Sequence, residues 1–241
     1  MQLSSGGSSM TPRKLAGIAV HIFTAMGAVC GLLALHFAAN AQWSTVFMWL
    51  GLAAVIDGLD GPLARRANVE NLLPRFSGVR LDLVVDYLNY CVVPAFVLME
   101  SVRAGEAGSN IAAIAIVLSS LYHFADVESK TKDGYFVGFP GIWNVVILYF
   151  FVLDTSPVIT LVVTFVLVAL TFVPLTWVHP FRVSRWRYFT CFTLLMWSMA
   201  AVYEVLADFP GTPISKLVLV LCGLYLVLIS LVRSLGWRTE M

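Results

Sequence analysis

The sequence predicts an all-α membrane protein, a polytopic helical bundle of about eight transmembrane helices with both termini in the cytoplasm. Of its 241 residues, 59% are hydrophobic and 12% are charged, whereas about 25% of the residues of a soluble domain are charged. A transmembrane helix needs about 20 mainly apolar residues. Segments of this kind occur near residues 15–39, 42–64, 80–101, 109–126, 140–153, 156–176, 186–206 and 214–235.

The fifth of these segments, 140–153, is short, and Asp154 and Pro157 follow it closely. An alternative interpretation merges it with the sixth segment and leaves seven spans. That alternative breaks the charge pattern of the connecting segments, which alternate between basic and nearly uncharged when there are eight spans.

Basic residues are concentrated in every second connecting segment. These segments hold 13 of the 15 Lys and Arg residues, namely Arg13, Lys14, Arg65, Arg66, Arg75, Arg80, Lys130, Lys132, Arg182, Arg185, Arg187, Arg233 and Arg238. Only Arg103 and Lys216 are left for the other side of the membrane. By the positive-inside rule, the basic segments and both termini face the cytoplasm.

The composition also excludes several classes of function. A net charge of +1 without a patterned basic stripe gives no support for a nucleic-acid partner. The four cysteines lie in apolar spans without C-x-x-C spacing, which argues against a zinc site or a disulfide framework.

Residues 1–11 are interpreted as a flexible leader, and residues 12–241 as a single membrane-embedded domain.

Four aspartates, Asp57, Asp60, Asp82 and Asp86, lie where the chain otherwise has the pattern of membrane helices. A carboxylate in that environment is costly and usually functional. In a helix, Asp57 and Asp60 share one face, and Gly78, Asp82 and Asp86 share another. Two such faces turned toward each other would form one acidic pocket at the cytoplasmic membrane face.

Carboxylates are ligands for hard divalent cations such as Mg²⁺ and Mn²⁺. Two such ions could hold both the bridging and the leaving oxygens of a pyrophosphate during a displacement. Glycines 58, 61 and 78 would let a nucleotide approach the backbone, and Arg65 is placed to meet phosphate oxygens. Two alternatives are an ion-paired helix end, in which the acids meet Arg65, Arg66 or Arg80, and a cation transporter.

The run D-x-x-D-G-x-x-A-R at 57–65, followed by G-x-x-x-D-x-x-x-D at 78–86, resembles the signature of the CDP-alcohol phosphotransferases. The 12 residues between Arg65 and Gly78 make a longer spacing than the common family pattern. This insertion, which carries Pro74, resembles the bacterial phosphatidylcholine synthases, a subgroup of that family. Segment 133–144, with its Gly-Phe-Pro-x-x-Trp-Asn core at 138–144, is also similar to that subgroup.

The resemblance implies that an alcohol displaces CMP from CDP-diacylglycerol, with two Mn²⁺ or Mg²⁺ ions holding the pyrophosphate. By position, Asp57, Asp60 and Asp82 would be metal ligands, and Asp86 would be the general base and a further metal contact. The positions that match the CDP-lining residues of the family are Asp57, Gly61, Ala64, Arg65 and Gly78. The resemblance further implies a homodimer in a bacterial inner membrane.

Choline is the alcohol that the aromatic residues favour. Its quaternary ammonium is recognised by the faces of Trp and Tyr and by acidic groups, and the candidates are Tyr90, Tyr122, Asp126, Trp143 and Asn144. Aromatic residues also gather at membrane interfaces as anchors, so this role stays open for each of them. A serine acceptor, as in phosphatidylserine synthase, is the alternative within the family, and it would need a cation near the substrate carboxylate.

Overall fold

The computed structural model describes residues 11–131, 135–177 and 186–234. Most of the predicted leader lies outside these ranges. So do Asp133 and Gly134 of the second motif and the basic residues Lys132, Arg182, Arg185 and Arg238.

Helices make up most of the described chain. In order they are α1 (Pro12–Ala38), α2 (Trp43–Ala67), α3 (Val69–Leu72), α4 (Gly78–Tyr87), a π-helical turn (Leu88–Val92), α5 (Val93–Ser101), α6 (Glu106–Ala125), α7 (Trp143–Val152), α8 (Pro157–Thr171), α9 (Arg187–Leu206) and α10 (Pro213–Ser234). Side-chain caps mark several starts: Thr11, Ser77 and Ser156 accept backbone N–H groups at the beginnings of α1, α4 and α8.

Six helical segments of the described chain are long and apolar enough to cross a membrane. They are α1, α2, the continuous stretch Gly78–Ser101, α6, α9 and Pro213–Val232 of α10. The helices α7 and α8 are also apolar, but they have only 10 and 15 residues. The prediction of a polytopic helical membrane bundle is confirmed, whereas the count of eight spans and the side of the termini stay predictions.

The apolar stretch from 140 to 176 is interrupted after α7, so it does not form one merged span. Asp154 has a φ of 46°, in the left-handed region, and its carboxylate accepts a hydrogen bond from Arg103 at 3.1 Å. Ser156 then caps α8, and Pro157 occupies its first turn, where a missing N–H costs nothing. Local turn chemistry therefore separates α7 from α8.

A short two-stranded sheet was not predicted. Strands β1 (Phe136–Val137) and β2 (Thr176–Trp177) pair antiparallel, joining the segment before α7 to the segment after α8. Gly138 follows β1 with a φ of 78°, and a Cβ at this position would lie 2.3 Å from the Thr171 carbonyl oxygen. Only glycine fits this crossing, and strands of two residues leave no periodic signal in the sequence.

The core lies where α5, α6 and α7 meet α1 and α2. Its centre includes the fully buried Leu98, Ile116, Trp143 and Ile147. Large apolar side chains also cover much of the outer surface, among them Ile22, Leu32, Leu118, Val158 and Phe192. An apolar exterior of this extent suits lipid rather than water as its surroundings.

The turns that precede α2, α6, α8 and α10 gather at one end of the bundle. Ser44 donates a hydrogen bond to Asp208 there, and the guanidinium of Arg103 lies 4.0 Å above the ring of Phe151. Asp57 is 14 residues beyond the start of α2, about 21 Å along its axis. The four aspartates are therefore well separated from this end.

Candidate active site

Carboxylates from two helices meet on the other side of the bundle. Helix α2 supplies Asp57, and α4 supplies Asp82 and Asp86, one turn apart. One carboxylate oxygen from each of the three lies within 4.8 Å of the others, and all three residues are half-buried. We call these three residues the aspartate triad.

No basic side chain of the described residues forms an ion pair with the triad. Within the ranges that the structure describes, the one ion pair joins Arg103 to Asp154, at the far end of the molecule. Arg65, Arg66 and Arg80 are exposed and form no ion pair with the four aspartates. The alternative in which these acids serve only to end two helices as ion pairs therefore receives no support from the geometry.

Such a cluster fits a divalent cation. Three carboxylates held close together repel one another, and a cation relieves that repulsion. All the donors are hard oxygen atoms, which suits Mg²⁺ or Mn²⁺ rather than a metal that prefers sulfur or nitrogen. The residues present therefore fit a divalent metal site.

Asp60 lies outside the triad, one turn beyond Asp57 on α2. It is only 6% exposed, and it lines a neighbouring cavity of about 550 Å³ to which Asp82 also contributes. This volume falls within the range of about 300–1,000 Å³ that is common for small-ligand pockets. The cavity therefore joins the acidic cluster to a space large enough for a ligand.

The predicted nucleotide contacts mostly line this cavity. Gly61, Ala64, Arg65 and Gly78 belong to its wall, whereas Asp57 lies beside it in the triad. A Cβ on Gly61 would lie 3.3 Å from Nη1 of Arg65, so this glycine leaves room for the guanidinium. The glycine and arginine of the motif thus act together at the cavity wall.

The insertion between Arg65 and Gly78 closes one side of the cavity. Asn68 ends α2 in the left-handed conformation, with a φ of 50°, and α3 follows directly. Leu73 packs against Gly17 of α1, where a Cβ would lie 3.2 Å from Leu73 Cδ1. Cavity-lining residues of the insertion are Asn68, Val69, Glu70, Pro74, Phe76 and Ser77. The sequence showed the extra length but not this role.

Two polar residues of α1 were missed by sequence reasoning. His21 and Thr24 line the same cavity, across from Gly78. A signal was present, because a His and a Thr three residues apart share one face of an otherwise apolar helix. It was overlooked because the motif begins 33 residues after Thr24, at Asp57.

Tyr90 lies beside the triad. Its hydroxyl donates a hydrogen bond of 2.7 Å to Oδ2 of Asp57. It belongs to the π-helical turn Leu88–Val92, and such turns are frequent at functional sites. In the same turn, Asn89 Nδ2 donates a hydrogen bond of 3.0 Å to the carbonyl of Gly27 in α1. This bond fastens the turn to α1 directly after Asp86.

The other four choline candidates have different hydrogen-bond partners and degrees of exposure. Trp143 is 0% exposed, and its indole N–H donates to the Ser120 hydroxyl. Tyr122 is 55% exposed and packs against Phe172. Asp126 follows the end of α6 and accepts the backbone N–H of Glu128. Asn144 is half-buried, and its Oδ1 has no hydrogen-bond partner within the described chain.

Comparison with known proteins finds relatives that are similar over most of the chain. The chain is 41% identical to a phosphatidylcholine synthase of Rhizobium meliloti (strain 1021), over 92% of both chains. It is 40% identical to a phosphatidylcholine synthase of Pseudomonas aeruginosa, over 84% of this chain and 87% of the relative. A phosphatidylcholine synthase of Bradyrhizobium diazoefficiens is 39% identical, over 90% of this chain and 82% of the relative. No protein-family model matches the chain.

Proposed function

The chain belongs to the phosphatidylcholine synthase family, and we propose that it transfers the phosphatidyl group of CDP-diacylglycerol to choline, releasing CMP. The observation that carries this proposal is the aspartate triad, placed beside a ligand-sized cavity. In the reaction, the choline oxygen forms a bond to the phosphorus that bears the diacylglycerol. The bond between that phosphorus and the bridging oxygen breaks, and CMP leaves with the oxygen.

The acidic residues have two proposed roles. Asp57, Asp60 and Asp82, with Asp86 as a further contact, would hold two Mn²⁺ or Mg²⁺ ions. When bound, the ions supply positive charge that offsets the negative charge developing on the phosphates. Asp86 takes the proton of the choline hydroxyl, which is the work of a positioned general base.

The cavity is the proposed site of the CDP moiety. Arg65 provides a fork of N–H donors for phosphate oxygens, and Gly61 leaves that guanidinium space. Ala64 and Gly78 keep two walls free of bulk, and Asp57 contacts the nucleotide from the triad. The cavity walls thus orient the leaving group while the triad faces the reacting phosphate.

For choline, we propose Tyr90 as the principal contact among the five candidates. Its hydroxyl donates a hydrogen bond to Asp57, so its ring lies next to the triad. The face of a tyrosine ring attracts a quaternary ammonium group. Asn144 is the second choice, because its buried Oδ1 has no partner in the described chain. Tyr122, Asp126 and Trp143 are engaged elsewhere, and any part they play would be indirect.

The cellular setting is proposed from the sequence pattern and the family. We place the protein in the inner membrane of a bacterium, with eight spans, both termini and the active site on the cytoplasmic side, and a homodimer as its assembly. The prevalence of basic residues in alternate loops supports this orientation. Labelling of single cysteines placed at 41 and 70, from each side of the membrane, tests it.

The acceptor assay tests the proposal as a whole. Purified protein in detergent receives CDP-diacylglycerol and Mn²⁺, with choline, serine, inositol or glycerol 3-phosphate supplied separately, and CMP and lipid product are measured. CMP with choline alone is the expected result. CMP release with serine instead of choline would show that serine is the acceptor, and it would leave the proposed reaction at the triad unchanged. If no acceptor led to CMP release, the proposed transferase activity would be refuted. Ion-flux assays would then test the alternative, a cation transporter.

A further inference from the structure

A second cavity lies at the end of the bundle that is remote from the aspartate triad, where the turns before α2, α6, α8 and α10 gather. Its volume is about 460 Å³, within the range of about 300–1,000 Å³ that is common for small-ligand pockets. The described residues that line it come from the start of α2, from α7 and from the turns that follow α5 and α9. The reaction proposed above makes no use of this cavity.

Arg103 brings a positive charge to the cavity wall. Its side chain is 19% exposed, and its Nη1 donates to the carbonyl of Phe150 and to Asp154, both at 3.1 Å. Its Nε has no hydrogen-bond partner in the part of the chain that the structure describes. A guanidinium has five N–H donors, so Arg103 keeps donors for an acceptor from outside the chain. Phosphate oxygens are preferred partners of such a group.

Aromatic rings make up the apolar part of the cavity wall. The centroid of the Phe151 ring lies 5.3 Å from that of Trp43 and 5.6 Å from that of Phe209. Phe151 is buried, and the guanidinium of Arg103 already covers one face of its ring. Trp43 and Phe209 are only half-buried, so part of each ring is open to a ligand. The faces of such rings attract a quaternary ammonium, and tryptophan does so most strongly.

An acidic group completes the set. Asp208 is exposed, and its Oδ1 accepts a hydrogen bond from the hydroxyl of Ser44, which holds the carboxylate beside the start of α2. Asp208 and Arg103 therefore place opposite charges on the wall of one cavity.

The balance of charge favours a zwitterionic ligand. Asp154 is 77% exposed and pairs with Arg103, so an anionic ligand would meet two carboxylates, Asp154 and Asp208, for one guanidinium. A simple cation would meet the charge of Arg103. A ligand that carries both a phosphate and an ammonium complements both signs of charge.

The surface beside the cavity favours a lipid over a soluble zwitterion. Met48 lies one turn beyond Ser44 in α2, and Leu206 is the last residue of α9, just before Asp208; both are exposed. Val202, one turn earlier in α9, is exposed as well. These apolar side chains lead from the cavity along helices that lipid surrounds. Acyl chains can therefore lie against α2 and α9 while a headgroup occupies the cavity.

We propose that this cavity binds the headgroup of a zwitterionic phospholipid whose ammonium is quaternary, that is, a phosphocholine lipid. Arg103 holds the phosphate, and Trp43, Phe209 and Asp208 surround the trimethylammonium group. A short ethylene bridge joins the two charged groups of this headgroup, so one cavity can hold both. The site is separate from the reaction centre, and the proposal stands whichever reaction the triad performs.

The test is native mass spectrometry of the full-length protein in detergent with EDTA. The protein is titrated with dioleoylphosphatidylcholine or dioleoylphosphatidylglycerol, and a Kd is obtained for each lipid. We expect the unaltered protein to prefer phosphatidylcholine. Arg103→Gln should weaken phosphatidylcholine binding at least about tenfold, the effect of losing a hydrogen bond to a charged group. Lys216→Gln is the matched control, because Lys216 is a basic residue at the same end that does not line the cavity.

A second variant keeps the test decisive if Arg103→Gln fails to fold. Asp208→Asn preserves an oxygen for Ser44 and removes only the negative charge. Phosphatidylcholine binding should then weaken about two- to fivefold, the effect of one exposed charge pair, while phosphatidylglycerol binding strengthens. Opposite changes for the two lipids are specific to a site that holds an ammonium beside Asp208.

Three results would overturn the proposal. The first is unchanged phosphatidylcholine binding in folded Arg103→Gln or Asp208→Asn. The second is binding of glycerophosphocholine as tight as that of the lipid, which would show a soluble ligand instead. The third is a loss of phosphatidylcholine binding in Asp82→Ala equal to that in Arg103→Gln, which would place the lipid at the triad. None of these results bears on the acceptor assay, so the proposed function is judged independently.

Discussion

Removing the hydroxyl of Tyr90 gives the most specific test of the triad. This hydroxyl donates a hydrogen bond to Asp57, and it can be deleted without changing the aromatic ring. Tyr90→Phe deletes a hydrogen bond of 2.7 Å to Oδ2 of Asp57. A hydrogen bond to a charged group contributes about 1.5–3 kcal/mol, equivalent to a factor of about 10–150. Mutating a residue that hydrogen-bonds to a metal ligand and orients it typically lowers metal affinity or activity about 10- to 100-fold. We therefore expect Mn²⁺ affinity to fall about 10- to 100-fold.

Calorimetric titration of Mn²⁺ into the detergent-solubilised protein measures this change directly. Tyr87→Phe is the matched control, because Tyr87 lies three residues earlier and its hydroxyl donates to the Val117 carbonyl at 3.0 Å instead of to a carboxylate. The control should lose a little thermal stability and keep its metal affinity. Equal Mn²⁺ affinities in the two variants would refute the reasoning that links Tyr90 to a metal ligand.

Three further predictions test other parts of the structure. Asp86→Asn should lower choline-dependent CMP release by about 10²- to 10⁴-fold, the usual contribution of a general base, while the variant still binds CDP-diacylglycerol with metal; activity near the unaltered level removes Asp86 from that role. Asp82→Ala should lose both Mn²⁺ and donor binding, and normal metal binding in calorimetry would contradict the metal assignment. Gly138→Ala should destabilise the protein by at least about 1–2 kcal/mol, the cost of a left-handed conformation for a non-glycine residue, before the contact with Thr171 is counted. Its thermal unfolding is compared with that of Gly51→Ala, where a Cβ meets nothing within 4 Å.

The helices were predictable because lipid imposes a simple requirement on the sequence. Every backbone polar group must be satisfied within the segment that crosses the bilayer, so long apolar runs become helices. The predicted spans 15–39, 42–64 and 80–101 accordingly overlap α1, α2 and Gly78–Ser101. The β1–β2 pair was not predictable, since it depends on a contact between Gly138 and Thr171 that joins distant parts of the chain.

The meeting of the two acidic faces was predictable from helical spacing, whereas the shape of the site was not. Asp82 and Asp86 are four residues apart, which places them on one face whatever surrounds them. The insertion gave no comparable pattern, because its position depends on Leu73 packing against Gly17, more than 50 residues away in sequence. The roles of the aromatic candidates were harder to predict than the position of the insertion, because a Trp or Tyr in a membrane protein has several common roles. Trp143 proved to be a core residue that donates to Ser120.

Helix α1 contains no motif residue, yet the geometry of the site depends on it. A Cβ on Gly27 would lie 2.7 Å from Cγ1 of Val85, and one on Gly31 would lie 2.5 Å from Oδ1 of Asn89. These two glycines let α4 and the π-helical turn approach α1 closely enough for Asn89 to reach the Gly27 carbonyl. Because Val85 and Asn89 flank Asp86 in the chain, this packing also sets where the carboxylate of Asp86 lies. The motif of residues 57–86 therefore supplies the chemical groups, while α1 sets the position of one acidic helix and supplies a wall of the cavity.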